Sequence, residues 1–164
     1  MRSLRSQILL MVWLASLSIS YAQDLPFDTV FKGRAQFDAI VSRASRVAST
    51  LRSLPIGERV GAFGQMMVGT PYKGFTLEVH TRIEAPVVKL EGLDCWTFFE
   101  CALAFARMMD HEPAEWTPQL MRRYIEIDRY WDGRCNGSYL SRLHYLEDWA
   151  RDNEKRGLVE DLTA

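Results

Sequence analysis

A cysteine at the start of an apolar helix is the residue best placed to do chemistry. Cys95 follows Asp94 and opens a segment that is apolar around most of a helical circumference. Aspartate is a preferred N-cap, so we expect Asp94 to cap a helix with Cys95 in its first turn. The free N–H groups and the helix dipole there favour a thiolate, the nucleophilic form of cysteine, and could bind an oxyanion. A buried structural cysteine fits this position equally well.

Three histidines are the candidates for the general base that a cysteine nucleophile needs. His80 precedes Cys95 in a predicted strand or loop, and His111 lies in a predicted solvated turn. His144 lies near the predicted start of the last helix and is the best candidate of the three. The alternative interpretation of His144 is a structural residue or one that lines a substrate cleft.

The chain has three cysteines, an odd number that leaves at least one thiol without an intramolecular partner. Cys95 and Cys101 are predicted to share a helix, where about 9 Å of rise and divergent directions prevent a disulfide. A disulfide would therefore join Cys135 to one of them, but we favour Cys101 as an unbridged core residue. No Cys-x-x-Cys or His-x-x-x-His pair is present, so the sequence predicts no metal site and indicates no cofactor.

Hydrophobic periodicity predicts mainly helices, with one extended region before Asp94. The predicted helices span residues 36–54, 56–67, 94–109, 117–127 and 141–157, and the predicted strands or extended loops span 73–93 and 158–162. The helix from Asp94 should be buried, because it is apolar on most sides. Arg122, Arg123 and Arg129 are predicted to form a solvated charged face. The expected fold class is α+β.

The N-terminus is typical of an exported protein. Arg2 and Arg5 precede an apolar stretch, and the small residues Ser20 and Ala22 lie three positions before and immediately before a cleavage point, which predicts a signal peptide over residues 1–22. An uncleaved anchor is the alternative, although the stretch is shorter than the roughly 20 residues of a transmembrane helix. Residues 23–164 would form one domain that is not embedded in a membrane. The net charge of −1, without clustered Lys and Arg, argues against a nucleic-acid partner.

Four sequence blocks, in order, resemble one family. The segment 93–100, Leu-Asp-Cys-Trp-Thr-Phe-Phe-Glu, resembles the signature of the N-acetylmuramyl-L-alanine amidase-like family, one of the NlpC-type papain-like cell-wall cysteine hydrolases. Upstream, residues 69–72 resemble its Gly-x-Pro-Tyr segment. Downstream, residues 130–133 and 142–149 resemble its Tyr-x-Asp-Gly and Arg-x-His-Tyr-x-x-Asp-Trp blocks.

This resemblance implies a fold, a reaction and a site. It implies a papain-like fold, hydrolysis of an amide bond in peptidoglycan fragments, and specifically of the bond between the muramyl lactyl group and L-alanine. Cys95 would be the nucleophile. The substrate would be bound by residues at or beside the cysteine and in the flanking blocks, namely Asp94, Tyr72, Tyr145 and Asp148. The protein would act as a monomer in the periplasm or outside the cell.

The chain departs from the family where the general base should lie. In the papain-like fold that histidine is on an antiparallel sheet after the nucleophile helix, and no such sheet is predicted after residue 110. We therefore expect the sheet to be short or missing, the domain to be incomplete at its C-terminus, and apolar surface on the Cys95 helix to be exposed. The alternatives are a short variant that uses His144, a catalytically inactive peptidoglycan-binding module, and an all-helical exported protein with an incidental cysteine.

Overall fold

The computed structural model describes residues 25–160, so the predicted signal peptide lies outside the described residues. Seven α-helices make up most of this region: α1 Phe27–Val30, α2 Arg34–Ser45, α3 Ala48–Ser53, α4 Ile56–Met66, α5 Cys95–Met108, α6 Pro118–Arg129 and α7 Leu146–Lys155. Single 3-10 turns occur at Pro113–Glu115, Trp131–Gly133 and Tyr139–Ser141. In this part of the chain, no helix combines the length and apolar character needed to cross a membrane.

Helix α5 is the centre of the structure, as its apolar sequence predicts. Every side chain from Glu100 to Met108 is buried. Phe105 stacks on Phe63 of α4 and on Phe37 of α2, with ring centroids 5.4 and 5.6 Å apart. Helix α6 packs along another side of α5 and contributes Met121 and Ile125 to the same core. The N-terminal end of α5, where Cys95 lies, is thus held by a rigid packed helix.

The sheet in residues 25–160 is small and parallel. Strand β1, Phe31–Lys32, pairs with strand β2, Val88–Lys89, and Phe31 lies opposite Val88. The antiparallel sheet of the predicted fold is absent from the described region, where the antiparallel pairing after α5 is a single bridge between Tyr130 and Arg142. The described fold is therefore helix-rich α+β.

Several predicted element boundaries were wrong. The helix predicted over residues 36–54 is two helices, α2 and α3, separated by a turn at residues 46–47. The last helix begins at Leu146 rather than at Ser141. Residues 73–93 are mostly irregular and contain only β2 as a strand. Residues 158–160 form no strand, and residues 161–164 lie outside the described region.

Buried ion pairs join α5 to α6. Arg129, predicted to be solvated, is buried and donates to the Glu100 carboxylate at 2.6 and 2.9 Å and to the Val87 carbonyl at 2.7 Å. Arg107 forms a second pair with the fully buried Asp128. Removing two charges from water is costly unless they are paired, which explains why each cation faces a carboxylate. The prediction for Arg129 failed because its partner is 29 residues away in sequence.

Candidate active site

Cys95 is the first residue of α5 and is exposed. Asp94 is its N-cap: Asp94 Oδ1 accepts from the Thr97 N–H at 2.8 Å, and Thr97 Oγ1 accepts from the Asp94 N–H at 3.0 Å. This reciprocal capping box fixes the backbone on both sides of the thiol. The sequence prediction of a capped helix beginning at Asp94 is thus confirmed.

The backbone beside the thiol can donate hydrogen bonds. The Asp94 carboxylate accepts from the Thr97 N–H, and the Asp94 carbonyl accepts from the Phe98 N–H at 2.9 Å. The N–H groups of Cys95 and Trp96 precede Phe98, the first intrahelical donor, so they have no acceptor within the helix and are left for other partners. Such N–H groups favour a negative charge, whether on a thiolate or on an oxyanion.

Tyr72 lies in the chain segment that pairs with the residues preceding Cys95. Tyr72 and Leu93 form a parallel bridge, in which the Leu93 N–H donates to the Pro71 carbonyl at 3.1 Å and the Leu93 carbonyl accepts from the Lys73 N–H at 3.0 Å. The Tyr72 side chain is 79% exposed and available to a ligand. A Cβ at Gly92 would lie 2.9 Å from the Cβ of Lys73, so this close approach needs glycine.

Aromatic side chains from α7 cover one side of the first turns of α5. Trp149 contacts Trp96 and Phe99 edge to face, with ring centroids 6.1 and 5.4 Å apart. Phe99 is 38% exposed, whereas Cys101–Met108 are buried, so the apolar exposure expected on α5 is confined to its first turns. No local sequence pattern indicates the contact between Trp149 and Phe99, because the two residues are 50 positions apart.

His144 lies in the exposed segment just before α7. Its Nε2 lies 2.9 Å from the Tyr139 carbonyl oxygen, and its ring contacts the Tyr139 ring at a tilt of 33°, with centroids 4.2 Å apart. A carbonyl only accepts, so Nε2 carries the proton and Nδ1 has the free lone pair. Within residues 25–160, no hydrogen bond joins Cys95 to His144, His80 or His111.

The other two histidines have local roles. His80 Nδ1 accepts from the backbone N–H groups of Arg82 and Ile83, at 3.1 and 3.0 Å, and so closes a turn. His111 follows the C-terminal end of α5, and its Nε2 lies 2.8 Å from the Tyr124 hydroxyl. His111 is half-buried rather than solvated as predicted, since it packs against the Tyr124 ring. It is separated from Cys95 by the whole length of α5.

The residues around His144 form a polar cluster that the sequence did not reveal. Arg142 is buried and pairs with Glu78 at 2.7 Å, and its guanidinium lies over the Tyr139 ring at 5.1 Å. The hydrogen bond from Arg142, opposed by partial burial, lowers the pKa of Glu78. The Arg-x-His block was the available signal, but it did not indicate that residues 77–84 lie against it.

Tyr145 and Asp148 lie at the start of α7. Tyr145 is its N-cap residue and is 71% exposed, while Asp148 is in the first turn and partly exposed. Trp149, the next residue, reaches α5 beside Cys95. The start of α7 therefore adjoins the Cys95 end of α5. The roles of Tyr145 and Asp148 in binding substrate remain predictions.

The three thiols are free and differ in environment. Cys101 is buried, and burial raises the pKa of its thiol to about 12. Cys135 is half-buried and donates to the Glu84 carbonyl at 3.4 Å, and burial also raises the pKa of its thiol. In residues 25–160 no three His, Cys, Asp or Glu side chains are grouped to hold a metal ion.

Residues 62–164, which include Tyr72, Cys95 and the α7 region, match the AmiA-like family, described as N-acetylmuramoyl-L-alanine amidase-like. The chain belongs to this family. The match contains all four blocks on which the sequence resemblance rests. It shows that the chain is a member of the family, and it assigns no role to any residue. Among curated proteins, no match to this AmiA-like chain is found.

Solved structures similar to this AmiA-like chain include amidases. An N-acetylmuramoyl-L-alanine amidase from Bacteroides uniformis is 29% identical, with a TM-score of 0.55 over 62% of this chain and 41% of that one. A Bacteroides fragilis protein described as a xylanase is 39% identical, with a TM-score of 0.52 over 60% of this chain and 41% of that one. The chain thus spans about two fifths of the length of these structures.

Proposed function

We propose that this AmiA-like protein hydrolyses an amide bond of peptidoglycan through the thiolate of Cys95. The exposed position of Cys95 at the first residue of a capped, packed helix carries this proposal. Family membership and the amidase among the similar structures support the peptidoglycan substrate. The bond we favour joins the muramyl lactyl group to L-alanine, and the fold we expect for this hydrolase is papain-like.

In the proposed reaction, the Cys95 thiolate attacks the carbonyl carbon of the amide. The carbonyl π bond opens, and the resulting oxyanion is stabilised by the N–H groups of Cys95 and Trp96. Collapse of the tetrahedral intermediate breaks the C–N bond, and the amine leaves with a proton from the general acid. Water then hydrolyses the thioester, which releases the acid and regenerates the thiol.

His144 is our candidate for the general base and acid. Its Nε2–H donates to the Tyr139 carbonyl, which orients the ring and leaves Nδ1 to exchange protons. This arrangement resembles the usual one, in which a third polar group holds the catalytic histidine. Because His144 has no hydrogen bond to Cys95 in the described structure, this role requires the segment before α7 to approach the thiol when substrate binds.

Exposed residues around Cys95 are suited to hold a muropeptide. We propose that Tyr72 and Tyr145 pack against the substrate, and that Asp94 and Asp148 contact its polar groups. The predicted signal peptide would deliver the protein, as a monomer, to the periplasm or the cell exterior, where this substrate is found.

A catalytically inactive peptidoglycan-binding protein is the second candidate. The missing hydrogen bond between Cys95 and any histidine of residues 25–160 favours it. Such a protein would keep the exposed Tyr72 and the capped helix but would bind muropeptides without cleaving them.

The deciding experiment combines thiol reactivity with hydrolysis. Alkylation by iodoacetamide is followed against pH in the wild-type protein, in Cys95→Ser and in Cys135→Ser as the matched control. Ordinary thiols, with pKa near 8.5, gain reactivity up to about pH 10, whereas an activated thiolate is already reactive near pH 7. The same proteins are then incubated with anhydro-muropeptides, and release of the L-alanine amino group is measured.

We expect wild type and Cys135→Ser to be reactive near pH 7 and to release the peptide, and Cys95→Ser to do neither. Binding without cleavage, together with ordinary Cys95 reactivity, would favour the inactive binding protein. If wild-type protein neither binds nor cleaves muropeptides, both candidate functions are wrong.

A further inference from the structure

A pocket on the outer face of α6 has no part in the proposed reaction. Its volume is about 340 Å³, within the range of small-molecule sites. Four parts of the chain line it: Leu25, residues 83–86, the exposed face of α6, and Cys135 with Gly137. Neither Cys95 nor any residue proposed to bind the muropeptide lines it.

One cation in this pocket lacks a counter-charge. Within the described residues, the Arg122 guanidinium has no carboxylate partner, and its hydrogen bond runs from Nε to the Pro86 carbonyl at 3.1 Å. That bond fixes the plane of the guanidinium and leaves the N–H donors of both Nη groups free for a ligand. A fixed guanidinium with free Nη groups is suited to bidentate recognition of a carboxylate.

The acidic residues of the pocket are already paired. Glu126 accepts from Arg123 at 2.8 Å with one oxygen and from the Cys135 N–H at 3.1 Å with the other. Glu84 accepts from the Tyr130 hydroxyl at 2.7 Å, and its side chain is only 7% exposed. Glu84 also faces the guanidinium of Arg142 at 3.8 Å. Among the charged side chains that line the pocket, Arg122 is therefore the one without an ion-pair partner in the described residues.

The remaining walls are mainly aliphatic. Leu25, Ile83, Ala85 and Pro86 line the pocket beside the arginine. A bare inorganic anion would leave these apolar walls in contact with water, whereas a short aliphatic chain would cover them. The pocket thus combines one anion donor with space for an apolar body.

We propose that this pocket binds the carboxylate end of a small aliphatic molecule, either an amino acid or the C-terminus of a short peptide, with Arg122 as the anion donor. The site is independent of the proposed function, because it needs neither Cys95 nor a histidine. It gives a role to Arg122, which the sequence explained only as part of a solvated face.

The test uses the full chain and two pairs of probes: acetyl-alanyl-alanine and N-acetylalanine, each with its C-terminal amide. Binding is measured by NMR chemical-shift titration of ¹⁵N-labelled protein. We expect both acids to shift amide signals of residues 83–86, 119–126 and 135–137, and each amide to bind at least about tenfold more weakly. The acid that binds more tightly identifies the source of the carboxylate.

Variants and competitors make the test specific. Arg122→Gln should weaken binding of the acids at least about tenfold, while Arg151→Gln, on the exposed surface of α7, should leave it unchanged. Equal affinity for acid and amide in the wild-type protein would overturn the proposal without reference to any variant. Inorganic phosphate that binds as tightly as the better acid, or shifts confined to other segments, would also overturn it.

Discussion

Arg129 binds one carboxylate oxygen of Glu100 twice, through Nε at 2.9 Å and Nη2 at 2.6 Å. The other oxygen, Oε1, has no hydrogen-bond partner in the described structure. Burial by itself lowers the pKa of Arg129, but the charge and hydrogen bonds of Glu100 raise it above its ordinary value. The Arg129 guanidinium therefore stays charged in the core, and its pair with Glu100 ties α6 to the helix that begins at Cys95.

Breaking this pair should strongly destabilise the fold. Arg129→Met leaves a buried, unpaired carboxylate, so we expect a loss of about 3–5 kcal/mol in the free energy of unfolding, measured in urea. The double variant Glu100→Leu with Arg129→Met should lose much less, because no charge remains. Arg34→Met, which breaks the exposed Arg34–Asp38 pair, is the control and should lose under about 1 kcal/mol. A double variant as unstable as the single one would contradict this account.

The cap of α5 should matter for both stability and reactivity. Asp94→Ala removes the acceptor of the Thr97 N–H and should lower the free energy of unfolding by about 1 kcal/mol. Thr117→Ala removes the corresponding cap of α6, where Thr117 Oγ1 accepts from the Leu120 N–H, and should cost a similar amount. Only Asp94→Ala should change the alkylation rate of Cys95. Equal rates in both variants would mean that the cap does not position the thiol.

Capping residues show what the sequence could predict. The N-cap of α5 and the start of α6 were predicted correctly because an N-cap is a local interaction: Asp94 and Thr117 each accept from a backbone N–H three residues away. Pro118 at the first turn of α6 added to that local signal. Helix α5 was predicted for the same reason, since its apolar pattern is contained in one segment.

The remaining features depend on partners remote in sequence. The periodicity across residues 46–47 predicted one helix, but the chain turns there so that α2 and α3 can both pack against the core. Arg129 was assigned to solvent because its partners, Glu100 and Val87, cannot be inferred from neighbouring residues. Likewise, no local pattern indicates that Trp149 contacts Phe99 or that Arg142 pairs with Glu78.

Cys101 should be unreactive in the folded protein. Burial raises the pKa of its thiol to about 12, so roughly one molecule in ten thousand is ionised there at pH 8. Native protein treated with a chromogenic disulfide at pH 8 should therefore label Cys95 first and Cys135 more slowly. Cys101 should react only after unfolding in urea.

The same burial of Cys101 predicts the direction of a pH effect on stability. Below about pH 9 the thiol is protonated in both states, so its contribution is constant. As pH rises from about 9 to 12, the unfolded chain loses this proton first, and the free energy of unfolding should fall. Cys101→Ala should reduce that fall relative to wild type. Rapid labelling of Cys101 in native protein would contradict its burial.

Trp149 should be replaceable by phenylalanine but not by alanine. Its ring contacts Trp96 and Phe99, while its indole Nε1 is buried without a hydrogen-bond partner in the described structure. Trp149→Phe keeps aromatic packing and removes the unpaired N–H, so we expect a change under about 1.5 kcal/mol in the free energy of unfolding. Trp149→Ala should lose about 3–5 kcal/mol. If Trp149→Phe and Trp149→Ala lose the same stability in thermal unfolding, the edge-to-face packing contributes little.

The role of His144 can be separated from its structural contact. In His144→Gln the side-chain amide can still donate to the Tyr139 carbonyl, but no imidazole Nδ1 remains to accept a proton. If His144 is the general base, as we propose, kcat/KM for muropeptide hydrolysis should fall by about 10²–10⁴, and the acid limb of its pH profile should disappear. His80→Gln, which alters an exposed turn, should leave the rate and the profile unchanged. An active His144→Gln variant with an intact acid limb would place the base elsewhere, because glutamine cannot titrate in this range.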